Sequence, residues 1–185
     1  MRTIAIIPAR GGSKRLVGKN IYPLNGKPLM AYTIEALKAC GFIDAIYVSS
    51  DDQAILDVGS QWGAIPLVRP AELADDQTPK IVAIRQATED PRVLADGPVE
   101  TVIVPQANSP QITADQIRKG YALMQDHNLW EVMSADDNGV QNAAFRIVKK
   151  HALYNTFLSA HCGFVVANNL DVHTIEDIRA IEQLG

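Results

Sequence analysis

The chain is poor in cysteine and in aromatic residues, has no long apolar run, and holds no acidic residue in its first 34 positions. Each shortage excludes a class of protein. Two cysteines, Cys40 and Cys162, are too few and too far apart for a disulfide scaffold or a zinc finger, and they point to a reducing, cytoplasmic setting. Apolar runs such as Thr3-Ile4-Ala5-Ile6-Ile7 and Thr101-Val102-Ile103-Val104 are far shorter than the roughly 20 residues a membrane-spanning helix needs, so no membrane partner is expected. Pro8, Arg10 and Lys14 interrupt the opening stretch before a secretion signal could form. Charged residues at 21% and hydrophobic residues at 47% exclude a disordered chain, and neither a heptad nor any other internal repeat is present. A length of 185 residues suits one core, so residues 1–185 are read as a single domain.

The net charge of −4 conceals an asymmetry. Arg2, Arg10, Lys14, Arg15, Lys19 and Lys27 give residues 1–34 a charge of +6, leaving −10 for the other 151. A compact basic patch on an acidic protein argues against a nucleic-acid partner, which would want basic surface widely spread. It favours a focused site for a small, highly charged anion, the alternative being a solvated basic loop.

Short runs rich in Ile and Val at 3–7, 43–49, 65–68 and 100–105, bounded by Pro, Gly, Asp or Ser, read as buried strands. Between them Met30, Ile34 and Leu37 recur at helical spacing, with Gly41 as a stop, and Asp51 or Asp52 can cap a second helix through Ile55, Val58 and Trp62. Thr78-Pro79 reads as a cap with proline at the first helical position. Thr113 to Gln116 is a capping box opening a helix with Ile117, Tyr121 and Met124 on one face, and a last helix begins at Thr174, with Asp177 three residues on, and runs to the C-terminus. Residues 129–135, 143–148 and 163–167 are further strand candidates, with Asp136 to Gly139 as a turn. Alternating strands and helices predict a three-layer α/β/α, Rossmann-like fold on a mostly parallel sheet with right-handed crossovers.

Ligands in such sheets bind outside the carboxyl ends of the strands. The first strand delivers Pro8-Ala9-Arg10-Gly11-Gly12-Ser13-Lys14-Arg15 and then Gly18-Lys19-Asn20 to that edge. Two adjacent glycines are expected to open unusual backbone conformations and let amide groups approach phosphate oxygens, while Arg10, Lys14, Arg15 and Lys19 supply four cations within ten residues. The segment is neither a Walker A loop, since Asn20 follows Gly18-Lys19, nor a dinucleotide fingerprint, since Ser13 stands two residues after Gly11.

The opening signature from Ile6 to Asn20, followed by Pro23-Leu-x-Gly-Lys-Pro-Leu29, resembles the acylneuraminate cytidylyltransferases, or CMP-sialic acid synthetases. Val48 to Asp52 is similar to that family's V-S-T-D-D, Arg69 to Ala74 to its R-P-A-E-L-A, Gln106 to Pro110 to its Q-P-T-S-P, and Asp171 to Asp177 to its D-I-D-T-E-E-D. The likeness covers residues 1 to about 118, thins from 129 to 168 and returns at the last helix, as in a shortened member. It implies a nucleotidyltransferase fold and transfer of CMP from CTP to the anomeric hydroxyl of a sialic-acid-like keto-sugar acid, with release of pyrophosphate. Two alternatives stand beside it: a nucleotidyltransferase for another acidic sugar or a sugar phosphate, and a nucleotide-binding paralogue with little catalysis.

By this resemblance Ala9, Arg10, Gly11, Gly12, Ser13, Lys14, Lys19, Asn20 and Arg69 would hold the nucleotide, with Lys19, Arg10 and Asp171 serving the chemistry and Gln106 the sugar. A structural ion pair is the alternative for Arg69, a strand cap for Gln106 and a helix cap for Asp51. The family's metal-binding Asp-x-Asp is Asp171-Val172-His173 here, so Mg²⁺ would rest on Asp171 alone with phosphate oxygens and water, or Mg²⁺ or Mn²⁺ on Asp171 and His173, with a base role or a noncatalytic role for His173 as the alternatives. Gln111 and Ile112 stand where the family has leucine and arginine. The resemblance also implies a homodimer, formed through a middle segment that is reduced in this chain.

Overall fold

A computed structural model describes residues 1–75, 77–156 and 159–183. Strands β1 (Arg2–Pro8), β4 (Ala45–Ser50), β5 (Ile65–Val68), β6 (Val99–Pro105), β7 (Glu131–Ala135), β8 (Gln141–Lys149) and β9 (Cys162–Val166) form one sheet in the order β5-β4-β1-β6-β8-β7-β9. All run parallel except β8, which is antiparallel to both β6 and β7. A small antiparallel hairpin, β2 (Pro23–Leu24) with β3 (Lys27–Pro28), turns at Asn25-Gly26, both in the left-handed region. The described residues include six α-helices: α1 (Leu29–Lys38), α2 (Gln53–Gln61), α3 (Lys80–Thr88), α4 (Pro91–Leu94), α5 (Ala114–Asp126) and α6 (Ile175–Glu182).

The alternation along β1 shows why the sheet is covered on both faces. Ile4, Ala5, Ile6 and Ile7 are all fully buried. Ala5 and Ile7 join a core with Ile34 and Leu37 of α1, Ile55 of α2 and Ile117 and Met124 of α5, while Ile4 and Ile6 join another with Ile84 of α3 and Val93 of α4. Burying each such side chain contributes about 1.5–3 kcal/mol, which is how a strand with no polar face becomes the centre of three layers.

The expected helix starts hold, with one exception. Asp52, not Asp51, caps α2 by accepting from the Ala54 amide, and Thr113 and Thr174 form complete capping boxes with Gln116 and Asp177. Thr78, however, caps nothing: Pro79 occupies the position before α3 with no side-chain bond. The Asp75 carboxylate takes the amides of Gln77 and Thr78, so the loop is turned there instead. The cap-then-proline pattern occurs one helix later, where Asp90 caps α4 and Pro91 opens it. The last helix ends at Glu182 with Gln183 as its cap, and the expected continuation through 184 and 185 lies outside the described residues.

From β1 the chain steps outward to β4 and β5, then returns to the other side of β1 as β6. This reversal opens a crevice at the carboxyl ends of β1 and β6. Both cysteines are free, and no helix among the described residues is long and apolar enough to cross a membrane.

Candidate active site

The crevice holds a cavity of about 520 Å³. Three parallel strands deliver residues to it: β1 ends at Pro8 before the Arg10–Asn20 loop, β5 leads into Arg69 and β6 into Gln106. Of the residues picked out from sequence, Arg10, Ser13, Lys14, Lys19, Asn20, Arg69, Gln106 and His173 all line it. Ala9, Gly11, Gly12 and Asp171 do not line it, although the first three belong to the framing loop. Arg15 and Lys80 join the wall, giving six cations against one carboxylate, Asp75, among the described lining residues. The field of such a cleft attracts a compact polyanion.

The loop is braced rather than open. Ala9 N–H donates to the Ser49 carbonyl, Gly11 N–H to Asp51 Oδ1 at 3.0 Å, and Ser13 N–H to the Gly11 carbonyl. Those three amides therefore already have protein acceptors. The glycine expectation is corrected. Neither Gly11 nor Gly12 is among the residues with positive φ, whereas Gly18 is, at 65°. Gly11 is needed for close approach, because a Cβ there would lie 2.7 Å from Asp52 Oδ2, while one on Gly12 would meet nothing within 4 Å. Asn20 is buried and donates from Nδ2 to the Arg10 carbonyl, so it holds the two ends of the loop together.

Arg69 is buried; its Nη2 donates to the Ser49 carbonyl at 2.6 Å and its Nε to Ser49 Oγ at 3.2 Å. Desolvation lowers its pKa, with Asp51 opposing. It is a rigid positive wall of the cavity. Lys19 is half-buried, and burial, followed by Arg15, lowers its pKa while Asp171 pulls the other way. A crowded cation of this kind gains most from an incoming anion.

The Asp171-Val172-His173 segment is not a strand, yet it keeps strand-like alternation. Val172 is fully buried beside Leu24, Leu29 and Ile178, with Asp171 and His173 half-buried on either side of it. Asn108 fixes the segment twice, accepting from Val172 N–H and donating to the Val172 carbonyl, each at 2.8 Å. Ser109 Oγ donates to Asp171 Oδ1. Asp177 Oδ2 accepts from the His173 and Thr174 amides at 2.7 and 2.8 Å.

The donor set supports one metal ligand better than two. His173 Nδ1 lies 3.2 Å from Arg15 Nη2, and burial, together with Lys19 and Arg15, lowers the imidazole pKa. A nitrogen that already accepts from a guanidinium suits Mg²⁺ poorly. No group of three metal-ligating side chains occurs among the described residues, but Mg²⁺ commonly uses one or two carboxylates with phosphate oxygens and water, and Asp171 meets that need. Ile112 is buried in the core and Gln111 accepts from the Leu170 amide, so neither faces the cavity.

Lys80 and Asn108 were missed from sequence. The Thr78-Pro79 signal placed Lys80 on a helix start without assigning it a task, and Asn108 lay inside a quoted motif as an unremarked residue.

Comparison with known proteins agrees with this geometry. The chain is 47% identical over 90 residues to the pseudaminic acid cytidylyltransferase of Campylobacter jejuni strain 81-176, a match spanning 48% of this chain and 39% of that protein. It is 30% identical over 161 residues to the N-acylneuraminate cytidylyltransferase of Streptococcus agalactiae, spanning 86% of this chain and 35% of that one. The matches thus reach well under two thirds of either relative's length. In fold the chain is similar to a CMP:2-keto-3-deoxy-manno-octonic acid synthetase solved with CTP, with a TM-score of 0.80 at 14% identity over 100% of this chain and 98% of that one. Residues 4–155 match the family model described as Cytidylyltransferase, and with its basic cleft at the β1–β6 crevice the chain belongs to the cytidylyltransferase family.

Proposed function

We propose that this chain transfers CMP from CTP to the anomeric hydroxyl of a nonulosonic, sialic-acid-like sugar acid and releases pyrophosphate. The observation that carries this reading is the convergence of Arg10, Lys14, Arg15, Lys19 and Arg69 on one cavity at the strand ends. The names of the relatives supply the acceptor class. In the reaction the acceptor oxygen bonds to the α-phosphorus as the bond to the bridging oxygen breaks. Pyrophosphate leaves with that electron pair, and the hydroxyl proton passes to water. Lys19, Arg10 and their neighbours stabilise the charge that gathers on the departing group, an interaction stronger in the transition state than in the ground state.

Asp171, oriented by Ser109 and the Asn108 bridge, would hold Mg²⁺ or Mn²⁺ with the nucleotide's own oxygens. Bound there, the ion would polarise the phosphate and offset charge on the leaving group. His173 instead steadies Arg15. The contact between His173 and Arg15 also favours a second reading, a protein that binds CTP with little turnover, because it leaves Asp171 as the single carboxylate of the segment.

The test incubates the protein with CTP, Mg²⁺ or Mn²⁺, and pseudaminic, N-acetylneuraminic or 2-keto-3-deoxy-manno-octonic acid, and looks for a CMP-sugar by mass. A product with matching pyrophosphate is expected. Tight CTP binding with no product under either metal would select the second reading, and no CTP binding would end both. The cytoplasmic setting and a homodimer are part of the same proposal.

A further inference from the structure

Beside the basic cavity lies a smaller one of about 170 Å³, walled by the apolar side chains of Ile81, Ile84, Val104, Phe145 and Leu153. Two residues line both cavities, Lys80 at the start of α3 and Gln106 at the end of β6. Gln106 is anchored through its backbone, its N–H donating to the Ala144 carbonyl and its own carbonyl accepting from Thr33 Oγ1. Among the described residues its side-chain amide has no protein hydrogen-bond partner, and the Lys80 ammonium has neither a hydrogen bond nor an ion pair. The other polar groups at the smaller cavity differ. Arg146 lies 2.5 Å from Glu131, Asn142 donates to the Ala167 carbonyl, and Gln141 stands at the exposed rim.

We propose that Lys80 determines acceptor specificity: its ammonium, together with the Gln106 amide, holds the carboxylate of the sugar acid where the two cavities meet. The placement separates this cation from those of the phosphate loop. Arg10, Lys14, Arg15 and Lys19 all come from the loop after β1, whereas Lys80 stands on the α3 wall shared with the apolar compartment. An acceptor resting its carbon skeleton on Ile84, Val104 and Phe145 would bring its acid group to the doorway, near the nucleotide. Lys80 is open to cavity solvent, yet the protein packed around the cleft lowers its pKa, with Asp171 opposing and Lys19 adding to the fall, so an anionic partner is favoured. A carboxylate meeting this ammonium and the amide gains a charge-assisted bond that a neutral ester cannot make.

The inference rests on the function proposed above, and its test separates the two. Calorimetry on the intact protein measures binding of the non-reactive α,β-methylene analogue of CTP. It then measures, on the analogue-bound protein, binding of pseudaminic, N-acetylneuraminic and 2-keto-3-deoxy-manno-octonic acids and their methyl esters. Wild type is expected to prefer at least one acid over its ester by about tenfold or more. K80A should weaken that acid at least about tenfold, bring acid and ester within about threefold, and leave analogue binding within about threefold, while K80R keeps most of the preference. An intact acid-to-ester ratio in K80A would overturn the proposal. So would a loss of analogue affinity as large as the loss for the acid, which would place Lys80 on the phosphates, and so would a wild type that binds the analogue but none of the acids. A wild type that fails to bind the analogue would instead overturn the functional reading beneath it.

Discussion

Outside the basic cavity Arg146 lies 2.5 Å from Glu131, Lys149 2.9 Å from Glu100 and Lys150 3.0 Å from Glu89. Around the basic cavity, Lys19 and Lys80 face no carboxylate within ion-pair distance among the described residues. The same residue types therefore belong to two arrangements. A paired surface cation contributes at most about 1 kcal/mol and attracts nothing further, since its field is neutralised nearby. Lysines such as these two, without an ion-pair carboxylate, raise the energy of the empty protein slightly and lower that of an anion complex by much more. Pairing, rather than residue type, is what distinguishes Lys19 and Lys80 from Lys149 and Lys150.

Two lysine deletions should break this comparison most sharply. Lys19→Ala is expected to slow pyrophosphate release at least tenfold, about 1.4 kcal/mol in barrier, and by as much as about 10²-fold if it serves as a main stabiliser of the leaving group. Lys149→Ala removes a cation of the same charge but should leave turnover within about twofold and cost less than about 1 kcal/mol of stability. Equal turnover in the two variants would refute the assignment of Lys19.

How much of this could be read from the chain itself divides along the same line. The strands and helices of the nucleotide half were legible because buried parallel strands carry unbroken Ile and Val runs and their helices begin with capping residues such as Asp52 and Thr113. The Asn25-Gly26 hairpin had a strong local signal that went unread. Lys80 could not be recognised in the same way, because its significance lies in which cavities it borders, and these depend on contacts between α3, β6 and β8 distant in sequence. Nor could sequence show that Arg15 reaches His173 across 158 positions, a contact that changes what the imidazole can do.

The two loop glycines offer a finer test of how the basic side is built. Adding a methyl group at Gly11 forces it against Asp52, whose Cβ lies 2.8 Å from the new atom, whereas Gly12 has open space. Overpacking of this kind costs about 1–3 kcal/mol, and here the strain falls on the loop that positions Arg10 and Lys14. Gly11→Ala should weaken CTP binding by about tenfold and lower thermal stability, while Gly12→Ala should leave both nearly unchanged. Equal effects at the two positions would point to backbone conformation rather than crowding as the reason for the glycines.

The smallest effect concerns a paired charge far from the cavity, where only stability should respond. Asp90 caps α4 by accepting from the Arg92 amide at 2.9 Å, and its carboxylate also meets Arg92 Nε and Nη2 at 2.9 and 2.8 Å. The Arg92 side-chain bonds, helped by the backbone bond and opposed by burial, lower its pKa below the ordinary aspartate value of 3.8. A carboxyl depressed in the folded state contributes stability that is fully present above its unfolded pKa and is lost as pH falls through the lower folded value. Asp90→Ala should cost about 1 kcal/mol at neutral pH, or about 2–4 °C in Tm for a domain of this size. Asp90→Asn keeps a capping oxygen but has no charge to titrate, so it should retain most of the neutral-pH stability and flatten the fall in Tm below pH 4. CTP affinity should stay at the wild-type value in both variants. A change there would show that paired charges outside the cavity also shape the site, and the division between the two classes of cation would have to be redrawn.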